Sequence, residues 1–224
     1  MTKYFIVVAH PEPKSFNHAL AAAAIAALTA AGHEVRTTYL VEEGFSAISG
    51  RHNFTSVKNP DFLKLQLEEQ HAVEHRSFAP DVQAEMDKLA WCDVLIFQFP
   101  LWWFHLPAVL KGWCDRVLAM GFAYGGGKFY ANGPFHGKKA MLSLTTGGPL
   151  PAYQPGAFNG DIDGILRPIH RGIFEFCGFS VLKPNVCWSV AHLTDDERKT
   201  LLESWRVRCA TLDAEAPIVV GTYA

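Results

Sequence analysis

The sequence lacks the features that stabilise secreted proteins or attach a chain to a membrane. Its five cysteines are odd in number and widely spaced, and no C-x-x-C pair occurs. The uncharged, largely apolar stretch of residues 94–110 contains two prolines and is too short to cross a bilayer as a helix. The N-terminal apolar run, residues 5–9, is shorter than a signal-peptide core. We therefore expect a cytoplasmic protein with no stable membrane insertion.

An excess of charge of either sign is also missing. Twenty Lys and Arg residues face 22 Asp and Glu residues, which gives a formal net charge of −2 and no overall basic field for a nucleic acid. Hydrophobic residues make up 49% and charged residues 19% of the chain, which excludes an intrinsically disordered protein. The composition predicts a single domain over residues 1–224 with a sizeable core and no nucleic-acid partner.

Three common catalytic signatures are absent as well. The chain contains no G-x-G-x-x-G dinucleotide fingerprint, no G-x-S-x-G elbow and no G-x-x-x-x-G-K-[ST] loop. A Rossmann NAD site, a serine hydrolase of the elbow type and a P-loop NTPase are therefore disfavoured.

What the sequence does contain is an alternation of short apolar runs and helical patterns. Each run ends in a turn signal, and each helical pattern follows it closely, apart from a polar excursion at about 41–79 with one short helix near residues 66–74. Such an alternation predicts an α/β fold, a doubly wound five-stranded parallel sheet with helices on both faces. We take its strand order to be the flavodoxin-like one, 2-1-3-4-5. The predicted strands are 3–9, 34–40, 94–99, 139–145 and 181–188, and the predicted helices are 19–31, 80–91, 107–120, 162–176 and 195–209.

In open parallel sheets, ligands bind beyond the carboxyl ends of the strands, which selects three loops. Residues 10–17 lead into a helix N-terminus, which suits a phosphate but is equally a capped turn. Residues 100–106 place three large aromatic side chains at a strand end, where they can stack on a flat ligand, fill the core or contact a second subunit. Residues 145–153 combine Gly147 and Gly148 with Tyr153, either as a tight turn or as donors to a ligand.

Five runs of the chain, taken together, resemble the NAD(P)H:quinone oxidoreductase (DT-diaphorase) family. The resemblance extends in order from the first strand to about Leu212. It implies a homodimer with active sites at the subunit interface, which binds FAD non-covalently and transfers two electrons from NADH or NADPH to a quinone. The five runs are FQFPLWWF at 97–104, LKGW at 110–113, FAY at 122–124, TTGG at 145–148 and FCGF at 176–179.

The resemblance also implies which residues contact the cofactor. The residues at the FAD diphosphate and adenosine would be His10, Ser15, Phe16 and Asn17. Those along the isoalloxazine would be Pro100, Leu101, Trp102, Trp103 and Phe104, and those around its polar edge Thr145, Thr146, Gly147, Gly148 and Tyr153. Three further contacts would be Asp115, Arg198 and Gln66.

For the reaction itself, the resemblance implies that Tyr153 with the Gly147 and Gly148 amides stabilises negative charge on the reduced ring. Donor and acceptor would enter one flat site in turn, in ping-pong order. Azo and nitro compounds are further candidate acceptors. The substrate-binding residues implied are Trp103, Phe104 and Asn159, with Tyr124 and Phe129 of the partner subunit.

Several positions depart from the family pattern. Asn159 stands where vertebrate relatives have a histidine that is thought to assist protonation, and an amide does not titrate. Arg171 and Glu175 stand where a metal-binding relative has histidines, so we expect no structural metal. Two other interpretations stay open: a flavin-binding regulatory subunit of a membrane ion-efflux system, and a flavin-free interaction domain.

Overall fold

The computed structural model describes residues 1–223, which form a parallel sheet between helices. The strands are β1 (Lys3–Val8), β2 (Glu34–Tyr39), β3 (Val94–Pro100), β4 (Lys139–Thr145), β5 (Ser180–Val181) and β6 (Asn185–Cys187). The helices are α1 (Phe16–Ala30), α2 (Leu65–His75), α3 (Pro80–Trp91), α4 (Ala108–Val117), α5 (Ile162–Ile169) and α6 (Asp195–Cys209).

The strand order β2-β1-β3-β4-β5 confirms the flavodoxin-like fold predicted from the sequence. All strand pairs are parallel, so the loops that follow β1, β3 and β4 emerge at the same edge. The register pairs Val8 with Gln98 and Pro100 with Thr145, which brings the ends of these three strands side by side.

Side chains of the sheet alternate between two cores. In β1, Phe5 and Val7 pack with α3, α4 and α5 on one face, while Tyr4, Ile6 and Val8 pack with α1 and α6 on the other. Every residue of β3 is buried, as expected of a central parallel strand covered on both sides.

The excursion of residues 41–79 packs closely against α4. Gly112 on α4 allows this approach, because a Cβ atom there would lie only 2.2 Å from the carbonyl oxygen of Ala47. Arg116 of α4 is buried and donates to the Asn53 side chain at 2.7 Å and to the Ser46 carbonyl oxygen at 3.1 Å. Helix α2 has nearly the same bounds as the short helix predicted for residues 66–74.

The prediction was less accurate near the C-terminal end of the sheet. The single strand predicted for residues 181–188 is two short strands, β5 and β6, which both pair with β4. Pro184 lies between them and cannot donate a hydrogen bond to a strand ladder. The helix predicted for 162–176 is α-helical only to Ile169, and a π-helical turn, His170–Glu175, follows Pro168.

The helices are all too short or too polar to serve as bilayer spans. Among residues 1–223, no helix has the length and apolar character needed to cross a membrane.

Candidate active site

The first part of the candidate site is the N-terminus of α1. Ser15 is the N-cap, and its hydroxyl oxygen accepts a hydrogen bond from the His18 amide at 3.3 Å. The remaining amides of the first helical turn have no partner within the helix, so they can bind an anion. Two cavities, of about 360 Å³ and about 430 Å³, both have Ser15 in their lining.

These two cavities contain residues that the sequence analysis assigned and residues that it missed. Arg198 of α6 lines the smaller cavity together with Ser15 and Phe16, so two distant parts of the chain meet there. The larger cavity is lined by His18 and Glu42, which form an ion pair at 2.8 Å when the imidazole is protonated.

Ser15, His18 and Glu42 form a short hydrogen-bonded chain beside the α1 N-terminus. The Ser15 hydroxyl lies 2.9 Å from His18 Nδ1, and His18 Nε2 lies 2.8 Å from the Glu42 carboxylate. The sequence offered one signal for it, the i, i+3 spacing of Ser15 and His18 across the first turn. Glu42 carries no local signal, because it approaches from the end of β2.

A buried amide network fixes the side chain of Asn17 behind the helix terminus. Asn17 Nδ2 donates to the Thr145 hydroxyl at 3.0 Å, and Gln98 Nε2 donates to Asn17 Oδ1 at 2.9 Å. These side chains are at least 96% buried and join α1 to β3 and β4. Gln98 was not predicted as a site residue, although a polar side chain inside an apolar strand was a usable signal.

The loop after β3 presents the aromatic side chains. Trp102 and His105 exchange two backbone hydrogen bonds, of 3.2 and 3.0 Å, which close a tight turn with Trp103 and Phe104 at its tip. Both tip residues have positive φ, 51° and 58°, a conformation that costs about 1–2 kcal/mol for a residue with a Cβ. Trp103 is 96% exposed. Strained, exposed aromatic residues at a strand end are typical of a binding site.

Pro100 and Leu101 connect this turn to β4. Pro100 is buried at the end of β3, and the Leu101 amide donates to the Thr145 carbonyl oxygen at 2.8 Å. His10, at the end of β1, lies with its ring centroid 6.1 Å from that of Trp102. Burial lowers the pKa of His10, so its imidazole is neutral at pH 7.

The loop after β4 contains the two glycines of the TTGG run. Thr146 is buried, and its hydroxyl donates to the Gly148 carbonyl oxygen at 2.8 Å. A Cβ atom at Gly147 would meet nothing within 4 Å, so its backbone faces open space. A Cβ atom at Gly148 would lie 3.0 Å from the Tyr153 ring and 3.4 Å from the side-chain amide nitrogen of Asn159. Gly148, Tyr153 and Asn159 are therefore neighbours.

Tyr153 is held between two aromatic rings. Its ring centroid lies 6.5 Å from Phe104 and 5.3 Å from Trp188, and the side chain is buried. Trp188 was not predicted as a site residue, and nothing in its sequence neighbourhood indicated that it would reach Tyr153. The backbone amide of Asn159 donates to the Ala152 carbonyl oxygen at 2.9 Å, which keeps Asn159 beside Tyr153.

A second cluster contains Gln66, Tyr124 and Phe129. Gln66 Nε2 donates to the Tyr124 hydroxyl at 3.3 Å, and the rings of Tyr124 and Phe129 lie 5.8 and 5.1 Å from that of Phe176. Within residues 1–223, no ring contact joins this cluster to Phe104 or Tyr153. Apart from Asp115, the predicted site residues thus fall into two groups in one protomer.

Asp115 belongs to neither group by its contacts. Its carboxylate pairs with Lys111 on the exposed side of α4 at 2.5 Å. Arg171 and Glu175, the pair at the family's metal positions, form an ion pair of 2.8 Å with each other. In the part of the chain that the structure describes, no group of three or more His, Cys, Asp or Glu side chains is arranged to hold a metal.

The residues at the strand ends fit a flat aromatic ligand with a phosphate. The open space at Gly147 accepts a ring edge, the exposed face of Trp103 offers stacking, and the α1 N-terminus offers amides for a phosphate. These are the features that a flavin nucleotide needs.

Comparison with known proteins identifies the family. A family model described as flavodoxin-like fold matches residues 2–209. The rat protein NAD(P)H dehydrogenase [quinone] 1 is 42% identical over 214 residues, which are 95% of this chain and 78% of the rat protein. The chain belongs to the NAD(P)H:quinone oxidoreductase family, whose fold is flavodoxin-like.

Two other similar proteins support the assignment. The mouse ribosyldihydronicotinamide dehydrogenase [quinone] is 40% identical over 217 residues, which are 96% of this chain and 94% of the mouse protein. A Klebsiella pneumoniae protein assigned as a quinone reductase has a crystal structure that superposes with a TM-score of 0.93 at 38% identity, over 97% of this chain and 87% of that one.

Proposed function

We propose that this family member is a flavin-dependent oxidoreductase that reduces quinones by two electrons with NADH or NADPH. The observation that carries the proposal is the convergence, at the ends of β1, β3 and β4, of the α1 N-terminus, the strained Trp103–Phe104 turn and the open backbone of Gly147. The names of the relatives supply the donor and acceptor classes.

We propose FAD, bound non-covalently, as the cofactor. FMN ends in one phosphate, which the α1 N-terminus alone would satisfy. Here the two cavities beside Ser15 offer room for an adenosine diphosphate beyond that point, and Arg198 supplies a positive charge in one of them. His10, Phe16 and Asn17 complete this end of the site, and the isoalloxazine would lie along Trp103 and Phe104.

When bound, the flavin supplies a carrier that takes a hydride from the nicotinamide and passes two electrons to the quinone. The chain's own groups bind and orient the flavin and the two substrates. The Gly147 and Gly148 amides and the Tyr153 hydroxyl would donate hydrogen bonds to negative charge at the ring edge. One open site at Gly147 serves both substrates in turn, so we expect ping-pong kinetics.

Asn159 has a different role from a histidine at the same place. Its amide lies beside Gly148 and Tyr153 and can donate to a substrate oxygen, but it cannot take up a proton. Protons for the quinone oxygens therefore come from water or through the Tyr153 hydroxyl.

We propose that the site is completed by a second protomer. Phe129 and Tyr130 are more than a third exposed at the cluster around Phe176, and within residues 1–223 this cluster makes no ring contact with Tyr153 of its own protomer. In a homodimer, Tyr124 and Phe129 would cover the flat site of the partner.

The regulatory-subunit alternative has no support among the relatives named above, which carry enzyme names. The flavin-free alternative predicts a protein without flavin bands in the visible spectrum. Azo and nitro compounds fit the same open, flat site as quinones and are proposed as secondary acceptors.

The test is a visible spectrum of the purified protein, followed by anaerobic addition of NADH or NADPH and then of a quinone. We expect flavin bands that bleach with the donor and return with the quinone, and release of FAD rather than FMN on heating. A protein that neither carries nor binds a flavin would refute the proposal. Flavin that bleaches but does not return with quinones would refute the acceptor class.

A further inference from the structure

A cavity of about 700 Å³ lies next to the candidate site and takes no part in the flavin site described above. It is formed between α5, the π-helical turn, the segment joining β5 to β6 and the C-terminal residues 218–220. Its volume is within the range of small-molecule sites, about 300–1,000 Å³. Its apolar walls include Ile162, Val186 and Ile218.

Two buried nitrogen atoms on the wall of this cavity lack partners. Arg167 Nε and His170 Nε2 are buried, and neither forms a hydrogen bond within residues 1–223. His170 is 97% buried, and burial lowers its pKa to about 4, so the ring is neutral at pH 7. Unsatisfied buried polar atoms are rare in native proteins, and a bound ligand is one reason for them.

The charges on the cavity wall favour an anion. Arg167 and Lys183 both line it, and neither forms an ion pair in the described part of the chain. One carboxylate, that of Asp163, is also present, so two cations face one acid. A ligand with two negative charges and hydroxyl groups matches this set, because cations bind phosphates and a carboxylate accepts from ribose hydroxyls.

The cavity reaches the candidate site through two residues. Leu150 lines it and begins the short helical turn Leu150–Tyr153. Trp188 lines it as well, and its ring lies 5.3 Å from the ring of Tyr153. A ligand with one end beside Tyr153 can therefore extend along Trp188 towards Arg167 and Lys183.

We propose that this cavity binds the diphosphate and adenosine part of the nicotinamide dinucleotide donor. Arg167 and Lys183 bind the diphosphate, and the nicotinamide lies at Gly147 and Tyr153. The inference rests on the proposed function and extends it, since it makes the protein prefer a dinucleotide over a dihydronicotinamide riboside, which has no phosphate.

The test compares NADH with reduced nicotinamide riboside as donors at a fixed quinone concentration. In Lys183→Gln, an exposed position, and in Arg167→Gln, we expect KM for NADH to rise about tenfold, which is about 1.4 kcal/mol. The kcat and the KM for the riboside should change less than twofold, and the NADH effect should shrink at high salt. Arg206→Gln, an exposed cation on α6, is the matched control.

A second readout does not depend on turnover. ADP-ribose is titrated calorimetrically into the FAD-saturated protein and into the Lys183→Gln variant, so that the α1 end is already filled. Weaker binding of ADP-ribose to Lys183→Gln than to the wild-type protein supports the proposed role of the cavity. Equal KM changes for both donors, an unchanged KM for NADH, or equal ADP-ribose binding would overturn the inference. If wild-type protein reduces quinones with neither donor, the proposed function fails, and the calorimetry still decides the cavity.

Discussion

Tyr153 is the residue at which binding and turnover are expected to separate. Its ring packs between Phe104 and Trp188, and replacement by Phe preserves these contacts while removing the hydroxyl. We predict that Tyr153→Phe lowers kcat for quinone reduction about 100-fold, as the loss of one charge-stabilising donor does in other enzymes. The dissociation constant of the flavin should change less than threefold, because a neutral ring edge gains little from this donor.

Stopped-flow kinetics of the two half-reactions with NADH and with quinone would measure this effect, and flavin fluorescence would give the affinity. Tyr223→Phe is the control, since it removes a hydroxyl from an exposed ring outside both groups of site residues. Wild-type rates in Tyr153→Phe would remove Tyr153 from the mechanism.

Gly147 offers a test of the ligand position that requires no change in the folded chain. A methyl group there meets nothing within 4 Å, and the backbone has no positive φ, so Gly147→Ala should leave the free energy of unfolding of the apoprotein within about 1 kcal/mol of wild type. If the flavin edge lies against this residue, flavin affinity falls at least about tenfold.

The matched measurements are urea unfolding and flavin titration of the same apoprotein. Gly221→Ala, which also has open space around it but lies near the C-terminus at positive φ, should lose a little stability and no flavin affinity. An alanine at Gly147 that retains full flavin affinity would show that the ligand lies elsewhere.

At the scale of elements, α2 restrains the turn that carries Tyr124. The Glu69 carboxylate accepts a hydrogen bond from the Met120 amide at 2.7 Å, and Gln66 binds the Tyr124 hydroxyl. Burial raises the pKa of Glu69 above its usual 4.5, although the Met120 amide opposes this. The protonated form is therefore favoured by folding. The contribution of Glu69 to stability is complete below pH 4.5 and is lost as the pH rises through its higher folded-state pKa.

Glu69→Gln keeps an acceptor for Met120 and cannot ionise. We predict that this variant is at least as stable as wild type at neutral pH, and that the difference disappears as the pH falls to about 4. Urea unfolding over this pH range measures it, with Glu74→Gln, an exposed acid on the same helix, as the control. A variant destabilised equally at every pH would contradict the assignment.

The elements also show where sequence reasoning succeeds. Apolar runs such as residues 94–99 and the glycine and proline signals around α1 and α3 were sufficient to locate these strands and helices, because each depends on local pattern. The split of the last strand at Pro184 and the π-helical turn after Pro168 were not predicted. Both are consequences of missing amide donors, whose effect on neighbouring backbone depends on tertiary packing.

The candidate site was predicted where it lies on loops and missed where it lies on packed surfaces. The TTGG run and the aromatic loop have local signatures, and the structure brings both to one edge of the sheet. Trp188, Glu42 and Arg167 reach their neighbours only through folding, and their spacing in the sequence carries no such signal.

The single-domain prediction stays a prediction, supported by two cores that share one sheet.

At the scale of the whole molecule, the proposed homodimer would join the two groups of site residues across two protomers. If Tyr153 of one protomer works with Phe129 of the other, two variants that are each defective should complement when mixed. In dimers formed at random from Tyr153→Phe and Phe129→Ala chains, about half are mixed, and each mixed dimer has one site with both wild-type residues. About a quarter of all sites would then be intact.

We therefore predict that co-expressed, differently tagged chains give mixed dimers with about half the wild-type activity per dimer, far above either parent. Tandem affinity purification isolates the mixed species, and light scattering checks its mass. The control pairs Tyr153→Phe with Gly147→Ala, two changes in the same group, which cannot restore a site from either protomer. If mixed dimers of the first pair are no more active than the average of their parents, Phe129 acts in its own protomer or not at all, and the shared site is excluded.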